Sequence, residues 1–253
     1  METQKIALVT GGSRGLGKNM AIALAKKGND IIITYNSKKA EADEVVTEIE
    51  SLGQKAVALQ FDVSNTQTFD GFIAQLATVL EKKWQKKTFD FLVNNAGIGI
   101  NTPFASTTEE QFDLLTNIHF KGVYFLIQKT LPLIADGGRI VNVSTGLTRF
   151  SLPGYSVYAS LKGAIEVLTK YLAKELGARG IAVNAIAPGA IETDFGGGAV
   201  RDNEQVNKVI ASNTALGRAG LPDDIGGVVA FLCSEEGRWV NAQRIEASGG
   251  MFI

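Results

Sequence analysis

Apolar runs alternate with segments of helical periodicity along almost the whole chain. Several of these runs lack polar alternation, which is typical of strands buried on both faces of a sheet. The predicted strands are Ile6–Val9, Ile31–Ile33, Ala56–Leu59, Phe91–Val93, Ile140–Val143, Ala182–Ile186 and Arg244–Glu246. The predicted helices lie between them, at about 15–28, 38–52, 66–86, 108–135, 156–178 and 222–234.

This alternation predicts an α/β fold. Repeated strand–helix–strand units make right-handed crossovers, and these produce a parallel sheet that is covered by helices on both faces. We therefore expect a doubly wound, Rossmann-like, seven-stranded parallel sheet. The chain has 253 residues, an ordinary length for one α/β domain, and contains no repeat or linker, so residues 1–253 are predicted to form a single domain.

The amino-acid composition excludes some classes of binding partner for this protein. Apolar residues make up 45% of the chain and the net charge is −1, so a large core is expected and a nucleic-acid surface is not. No apolar run approaches the roughly 18 residues of a membrane span, and the first residues do not resemble a signal peptide. The single cysteine, Cys233, excludes an internal disulfide and is expected to pack in a helix. These features predict a soluble, cytoplasmic protein without a membrane partner.

A glycine-rich turn, residues 10–17, joins the first predicted strand to the first helix. Glycines permit positive φ angles and a close backbone approach, and a helix start offers free N–H groups to an anion. The spacing Thr-Gly-x-x-x-Gly-x-Gly is wider than G-x-G-x-x-G, and a merely structural turn is the alternative. The residues of this turn that we assign to a dinucleotide are Gly11, Ser13, Arg14, Gly15, Leu16 and Gly17.

The end of the second strand indicates which dinucleotide binds. An acidic residue there favours NAD, whereas a cation favours the 2′-phosphate of NADP. No acid occurs between residues 31 and 40, and Arg14 with Asn36, Ser37 and Lys38 can hold a dianion through charge-assisted bonds. We therefore favour NADP(H) over NAD(H). The alternative is that Lys38 simply begins a solvated helix.

Asp62 and Val63 follow the third predicted strand. In a dinucleotide fold they can meet the adenine edge of the cofactor. Asp62 can equally serve as a turn or cap residue beside Ser64, and both interpretations stay open.

Two further motifs complete a pattern. Asn94-Asn95-Ala96-Gly97 follows the fourth strand, and Tyr158-Ala159-Ser160-Leu161-Lys162 opens a later helix. With the glycine turn, they make the chain resemble the short-chain dehydrogenase/reductase family, including its 3-oxoacyl-[acyl-carrier-protein] reductase-like members. The likeness runs nearly end to end, and three motifs in the right order are highly specific. It implies hydride transfer between a nicotinamide and a ketone or secondary alcohol.

Tyr158 and Lys162 are one helical turn apart, so both side chains face the same way. A free tyrosine has a pKa near ~10, and a neighbouring ammonium stabilises the phenolate. We expect Lys162 to lower the pKa of Tyr158, which would donate a proton to the carbonyl oxygen or remove one from an alcohol. The family resemblance adds that Lys162 holds the nicotinamide ribose.

A hydroxyl group at the end of the fifth strand should fix the substrate oxygen. Ser144 and Thr145 both stand there. The family usually places this group thirteen residues before the tyrosine, which selects Thr145. Serine is the usual residue, so threonine is a mild departure with the same donor and acceptor capacity, and Ser144 is kept as the alternative.

His119 marks the clearest departure from the family. Members commonly carry asparagine three residues before a helix glycine, which is Gly122 here, and that asparagine seats a water that relays protons from the lysine. His119 can hold such a water through either ring nitrogen. Alternatively, His119 is a core histidine whose ring nitrogens are hydrogen-bonded within the protein, and the proton relay uses other groups.

The resemblance also assigns residues to the nicotinamide end of the cofactor. Ile191 and Thr193 resemble the segment that clasps the carboxamide, and Asn94 resembles the residue that steadies the central strands. The remaining cofactor assignments are Ala96, Gly97, Pro188 and Gly189, together with Tyr158 and Lys162.

The substrate side is less defined by the sequence. The glycine run at 196–198 suits a flexible flap over the site, at about 194–213, although a simple loop is the alternative. Position relative to the motifs suggests that the pocket is lined by Ile98, Phe150, Tyr155 and Phe195, and ordinary packing is the alternative for each.

Together these residues predict an NADP(H)-dependent oxidoreductase acting on a small-molecule carbonyl or alcohol. The alternative is a non-catalytic dinucleotide-binding regulator or scaffold, against which the intact Tyr158/Lys162 pair argues. The family implies a homotetramer, with a dimer as the second possibility. The apolar segment at 222–253 fits a buried or subunit-facing edge.

Overall fold

Residues 4–253, which the computed structural model describes, form one seven-stranded sheet with strand order β3-β2-β1-β4-β5-β6-β7. All neighbouring strands are parallel. The strands are β1 (Ile6–Val9), β2 (Asp30–Tyr35), β3 (Ala56–Gln60), β4 (Phe89–Asn94), β5 (Ile134–Val143), β6 (Ala182–Pro188) and β7 (Arg244–Ala247). This confirms the predicted doubly wound, Rossmann-like sheet. The strand order reverses between β1 and β4, where folds of this kind bind ligands.

Helices cover both faces of the sheet. They are α1 (Gly15–Lys26), α2 (Lys39–Ser51), α3 (Phe69–Val79), α4 (Glu109–Thr116), α5 (Gly122–Thr130), α6 (Ser156–Glu175), α7 (Ala199–Asp202), α8 (Glu204–Ser212) and α9 (Asp223–Leu232). Successive strand residues point to opposite faces, so Ala7 and Val9 pack in one core with α1, α2 and α9. Ile6 and Leu8 pack in the other core with α3, α5 and α6.

The region predicted as a single helix at 108–135 is divided in the structure. A π-helical turn at Asn117–Lys121 separates α4 from α5, and α5 ends at Thr130. The Leu131–Leu133 turn that follows contains Pro132, which cannot continue a helix. The prediction was therefore wrong at this end, because β5 already begins at Ile134.

Other boundaries differ for local reasons. The predicted helix at 66–86 ends its regular α-helical part at Val79, and a π-helical turn, Leu80–Trp84, follows. Gln85 then adopts a left-handed conformation with φ of 55°, which ends the segment. Strand β5 begins earlier than predicted because polar residues and glycines in its first half hide its apolar pattern.

In the part of the chain that the structure describes, no helix is long and apolar enough to cross a membrane. Cys233 lies at the carboxyl end of α9 and is buried. Burial raises the pKa of its thiol to about 12, so the side chain behaves as a small apolar group.

Candidate active site

The glycine turn lies at the carboxyl end of β1 and packs tightly against the segment that follows β4. Gly11 has a φ of +64°, and a Cβ atom there would lie 2.9 Å from the Ala96 Cα. A Cβ atom on Gly17 would overlap the Gly11 carbonyl oxygen. Thr10 Oγ1 accepts hydrogen bonds from the Asn95 and Ala96 amides, each 3.0 Å long. The turn can pack this closely only because these positions lack side chains.

The start of α1 fits an anionic ligand. Arg14 occupies the N-cap position without capping the helix through its side chain, so the helix start keeps donors available. The Arg14 guanidinium is about half exposed and forms a loose pair with Asp194, with 3.5 Å between NH1 and Oδ2. Asn36, Ser37 and Lys38 are exposed beyond the end of β2, the neighbour of β1. This donor set fits the diphosphate and 2′-phosphate of NADP.

Asp62 forms a local turn in the structure. Its Oδ1 accepts from the Ser64 amide at 2.9 Å and from the Ser64 hydroxyl at 2.7 Å. The next residue, Val63, presses its carbonyl against α5 at Gly122, where a Cβ atom would overlap the carbonyl oxygen. The turn role is therefore observed, and the adenine contact of Asp62 and Val63 stays a prediction.

Tyr158 and Lys162 lie on one face of α6, and both are buried. The Lys162 Nζ lies 5.7 Å from the centre of the Tyr158 ring and donates a 2.6 Å hydrogen bond to the Val143 carbonyl. Burial lowers the pKa of Lys162 to about 8, because a charged ammonium is poorly solvated there.

The same burial raises the pKa of the Tyr158 phenol above its ordinary value of 10.0. A hydrogen bond with the Thr145 side chain acts in the opposite direction and is the smaller effect. The net shift is thus upward, and the lowering of this pKa by Lys162 stays a prediction. Loss of solvation outweighs the effect of Thr145, and the phenol keeps its proton at neutral pH.

The two candidate hydroxyl groups at the end of β5 have different partners. Thr145 begins a short 3₁₀ turn, and its side chain accepts from the Leu147 amide at 3.3 Å and acts to lower the pKa of the Tyr158 phenol. Ser144 instead donates a 2.6 Å hydrogen bond to Glu166 Oε1. The Ser144 hydroxyl is thus already engaged by Glu166, and the role of Thr145 at the substrate oxygen stays a prediction.

His119 lies in the π-helical turn and is fully buried. Its Nε2 lies 2.9 Å from the Ile98 carbonyl oxygen, which can only accept, so Nε2 carries the hydrogen. The ring meets Tyr158 edge-on, with centroids 5.0 Å apart. Burial, followed by repulsion from Lys162, lowers the pKa of His119 to about 3, so the ring is neutral.

The second ring nitrogen of His119 distinguishes it from an ordinary core histidine. Nδ1 is buried and has no hydrogen-bond partner among the described residues. Since Nε2 holds the proton, Nδ1 presents a lone pair beside Gly97, whose Cβ position would lie 3.4 Å from it. An unsatisfied buried acceptor is costly, and such a group is commonly explained by a ligand or a water.

Asn94 links the central strands. Its Nδ2 donates to Asn142 Oδ1 at 2.8 Å, and Asn142 Nδ2 donates to Thr169 Oγ1 at 3.0 Å. This chain joins β4, β5 and α6, while Asn94 Oδ1 is buried with no partner among the described residues. Sequence reasoning missed Asn142 and Thr169, although a polar residue inside the apolar run of β5 was a usable signal.

The segment after β6 lies beside the glycine turn. Gly189 donates to the Ala247 carbonyl at 3.1 Å, which continues the pairing of β6 with β7 beyond Pro188. Ile191 pairs with Gly220 in an isolated bridge. Thr193 is buried, accepts from the Phe195 amide at 3.2 Å, and lies 3.6 Å from the Cβ position of Gly15.

Phe195 covers the site from the predicted flap. Its ring centre lies 5.9 Å from that of Tyr158, and 45% of the side chain is exposed. A Cβ atom on Gly99 would lie 2.6 Å from the Phe195 ring, so a glycine is needed beneath it. The expected pocket residue Phe150 packs instead against Phe252, with 4.7 Å between ring centres.

Sequence reasoning also missed a charged network behind Thr145. Glu166, Arg244 and Glu246 form it, with Arg149 at its outer end. One signal was available, since Glu166 follows Lys162 by one turn on the face of α6 that carries Tyr158.

Comparison with known proteins gives a consistent result over the whole chain. A family model described as Enoyl-(Acyl carrier protein) reductase matches residues 11–252. An uncharacterized oxidoreductase of Methylorubrum extorquens is 38% identical over 98% of this chain and 97% of its own. A hydroxynaphthalene reductase-like protein, Arp2 of Metarhizium brunneum, is 36% identical over 97% of this chain and 94% of its own.

Solved structures agree. LugOII, a promiscuous reductase described as catalysing keto-reduction at C1 in lugdunomycin biosynthesis, is 36% identical, covers 100% of both chains, and has a TM-score of 0.94. The angucycline C-6 ketoreductase LanV, solved with bound NADP, is 35% identical, covers 98% of this chain and 95% of its own, and has a TM-score of 0.93. With the glycine turn and the Tyr158/Lys162 pair in place, the chain belongs to the short-chain dehydrogenase/reductase family.

Proposed function

We propose that this protein reduces a ketone to a secondary alcohol with NADPH, and that Tyr158 donates the proton. The observation that carries the proposal is the burial of Tyr158 and Lys162 on one face of α6, with the Lys162 Nζ 5.7 Å from the centre of the Tyr158 ring. A bound nicotinamide supplies the hydride. The residues described below bind the cofactor and the substrate and transfer the proton.

The proton-donating role follows from the state of the phenol. With its pKa raised above the ordinary value of 10.0, Tyr158 is protonated at neutral pH, which is the form needed to protonate a carbonyl oxygen as it gains negative charge. Thr145 orients the same oxygen through its hydroxyl. Lys162, charged below a pKa of about 8, stabilises the phenolate that remains after the transfer.

His119 completes the proton path in this proposal. Its buried Nδ1 lone pair accepts a hydrogen bond from a relay water, the role that asparagine plays in the family. The neutral ring acts as a fixed acceptor and does not itself exchange the proton, because its pKa of about 3 is too low.

The cofactor assignment rests on charge and on the turn. Arg14 and Lys38, with Asn36 and Ser37, bind the 2′-phosphate, and no acidic residue occurs between residues 31 and 40. Lys38 forms an exposed pair with Glu41, 3.6 Å long, which it exchanges for the phosphate. The other residues assigned to the cofactor are Gly11, Ser13, Gly15, Leu16, Gly17, Asp62, Val63, Asn94, Ala96, Gly97, Pro188, Gly189, Ile191 and Thr193.

The substrate we propose is a ketone on a flat, aromatic ring system. Phe195 presents a partly exposed aromatic face next to the proton donor, and stacking on such a face favours a planar substrate. Two relatives point the same way: one bears the name hydroxynaphthalene reductase-like protein, and LanV has also been solved with NADP and rabelomycin. The segment at about 194–213 acts as the flap that closes over the substrate.

The proposal also includes the cellular location and the oligomeric state of the protein. We place the enzyme in the cytoplasm as a homotetramer, with a dimer as the second possibility. Phe231, Trp239 and Ile253 support an interface near the carboxyl end of the chain, because these apolar side chains are exposed.

The test is NADPH oxidation against a panel of aromatic ketones, small diketones and 3-oxoacyl thioesters. An enoyl thioester belongs in the panel, because the description of the family model names enoyl reduction. We expect turnover of aromatic ketones, and a loss of about 100-fold or more in Tyr158→Phe with NADPH binding retained. Tight NADPH binding without turnover of any substrate would instead favour the binding-module alternative.

A further inference from the structure

Three side chains occupy successive turns on one face of α6: Tyr158, Lys162 and Glu166. The third, Glu166, has no part in the proposed proton transfer. Its Oε1 accepts a 2.6 Å hydrogen bond from the Ser144 hydroxyl and a 2.8 Å bond from the Thr148 hydroxyl. A single carboxylate oxygen therefore joins α6 to the turn on both sides of Thr145.

Arg244, at the start of β7, strengthens this junction. Its Nε donates to the same Glu166 oxygen at 2.7 Å, and its NH2 donates to the Thr145 backbone carbonyl at 3.0 Å. NH1 bonds to Glu246 at 2.8 Å, which orients the guanidinium. The Arg244 and Glu166 side chains are only 22% and 17% exposed, so these charge-assisted bonds are weakly screened by solvent.

A second arginine extends the network to the end of the chain. Arg149 binds both carboxylate oxygens of Glu246, at 2.9 and 2.6 Å. It also donates to the carbonyls of Met251 and Phe252. The turn at 144–149 is consequently held at both ends, by α6 and β7 on one side and by the last residues on the other.

This arrangement matters because Tyr158 and Thr145 lie on different elements. The phenol is carried by a regular helix of 20 residues, whereas the Thr145 hydroxyl is carried by a short irregular turn. Their separation depends on whatever fastens the turn to the helix. Catalytic groups need placement within about 0.5 Å, and a 1 Å displacement can cost about 100-fold in rate.

We propose that Glu166, acting with Arg244, is a positioning residue that fixes the Thr145 hydroxyl relative to Tyr158. The inference rests on the proposed function for its catalytic meaning. Glu166 reaches the reaction only through Ser144, Thr148 and Arg244, and so it differs from the residues assigned to proton transfer.

The main test is Glu166→Gln, which keeps the shape of the side chain and removes its charge. We expect kcat to fall by about 10- to 100-fold, with the KM for NADPH changed less than twofold. Arg244→Lys keeps the positive charge but loses the forked set of N–H donors, and its kcat should fall less than that of Glu166→Gln. It is the substitute test if Glu166→Gln folds poorly.

Asp30→Asn is the matched control. Asp30 is a buried carboxylate at the start of β2, the end of the sheet remote from the site, and accepts hydrogen bonds of 2.7 Å from the Lys55 amide and the Trp84 indole. The Asp30→Asn substitution should lower Tm without a selective loss of kcat. If both variants lose kcat in proportion to their loss of Tm, Glu166 has only a structural role and the proposal falls.

A second readout does not depend on turnover. Amide hydrogen exchange in residues 145–149 should become faster in Glu166→Gln and Arg244→Lys, and stay unchanged in Asp30→Asn. Unchanged exchange in this turn, together with an unchanged kcat, would overturn the proposal. If the wild-type protein reduces no ketone, the proposed function fails, and the exchange result then decides separately whether Glu166 fixes the turn.

Discussion

The imidazole of His119 meets the phenol of Tyr158 edge-on, with ring centroids 5.0 Å apart and an angle of 87° between the ring planes. The ring is held by the hydrogen bond of Nε2 to the Ile98 carbonyl, so its orientation is fixed. The consequence is a neutral acceptor, Nδ1, at a constant place beside Tyr158.

This acceptor gives the first prediction. His119→Leu removes the lone pair and should lower kcat by roughly tenfold or more, whereas His119→Asn should retain more activity because its side-chain oxygen can accept. Steady-state kinetics of the two variants, with Tm measured for both, checks this. Equal losses in the two variants would indicate that the ring serves packing alone.

The second prediction concerns pH. Lys162 has a lowered pKa of about 8, so its stabilising positive charge is present below that pH and is lost above it. The rate of ketone reduction should therefore decline as the pH rises through about 8. His119 should add no inflection between pH 5 and 8, because its pKa of about 3 lies far below that range. A kcat/KM profile from pH 5 to 10 provides the measurement.

The third prediction tests cofactor choice. Arg14→Ser and Lys38→Ala each remove a cation assigned to the 2′-phosphate, and a charge-assisted bond contributes about 1.5–3 kcal/mol. We expect each change to weaken NADPH binding by about tenfold or more and to leave NADH binding within about threefold. Dissociation constants for both cofactors measure the difference. An equal loss of affinity for NADH would indicate that these residues bind a portion of the dinucleotide that NADH and NADPH share.

The fourth prediction concerns the substrate. Phe195→Ala should raise the KM for flat aromatic ketones by about tenfold, since stacking and burial of the ring are lost, and should change the KM for small diketones much less. Kinetics on the two substrate classes separates the effects. Gly99→Ala offers an independent check, because its new methyl group would displace the Phe195 ring without removing it.

A fifth prediction concerns stability in acid. The hydrogen bonds from Arg149 lower the pKa of Glu246 from its ordinary value of 4.5 to about 2. A lowered pKa in the folded state stabilises the protein above about 4.5, and this contribution is lost as the pH falls from about 4.5 to 2. Glu246→Gln should therefore flatten the dependence of Tm on pH within this window. An unchanged slope would show that other carboxylates dominate.

The sequence predicted the sheet well because a strand buried on both faces leaves a continuous apolar run. All seven strands were found, and the prediction missed the most residues in β5, since Asp136 and Arg139 interrupt its pattern. The Tyr158/Lys162 relation was equally accessible, because helical spacing alone puts the two side chains on one face.

Other features depend on contacts between distant segments. The π-helical turn around His119 could not be anticipated, because its residues have no distinctive composition and the turn forms where α5 packs against the Val63 carbonyl. The partner of Ser144 is Glu166, which lies 22 residues away. The raised pKa of Tyr158 depends on burial, which spacing does not reveal.

Gly196, Gly197 and Gly198 all have left-handed backbone angles, with φ of 63°, 74° and 77°. A residue with a side chain at any of these positions would destabilise the folded protein by about 1 kcal/mol or more. Substitutions within the triplet are therefore unfavourable. New contacts to a substrate must then come from the residues that border it. Laboratory evolution of substrate range should accordingly leave this triplet unchanged and accumulate substitutions at its flanks.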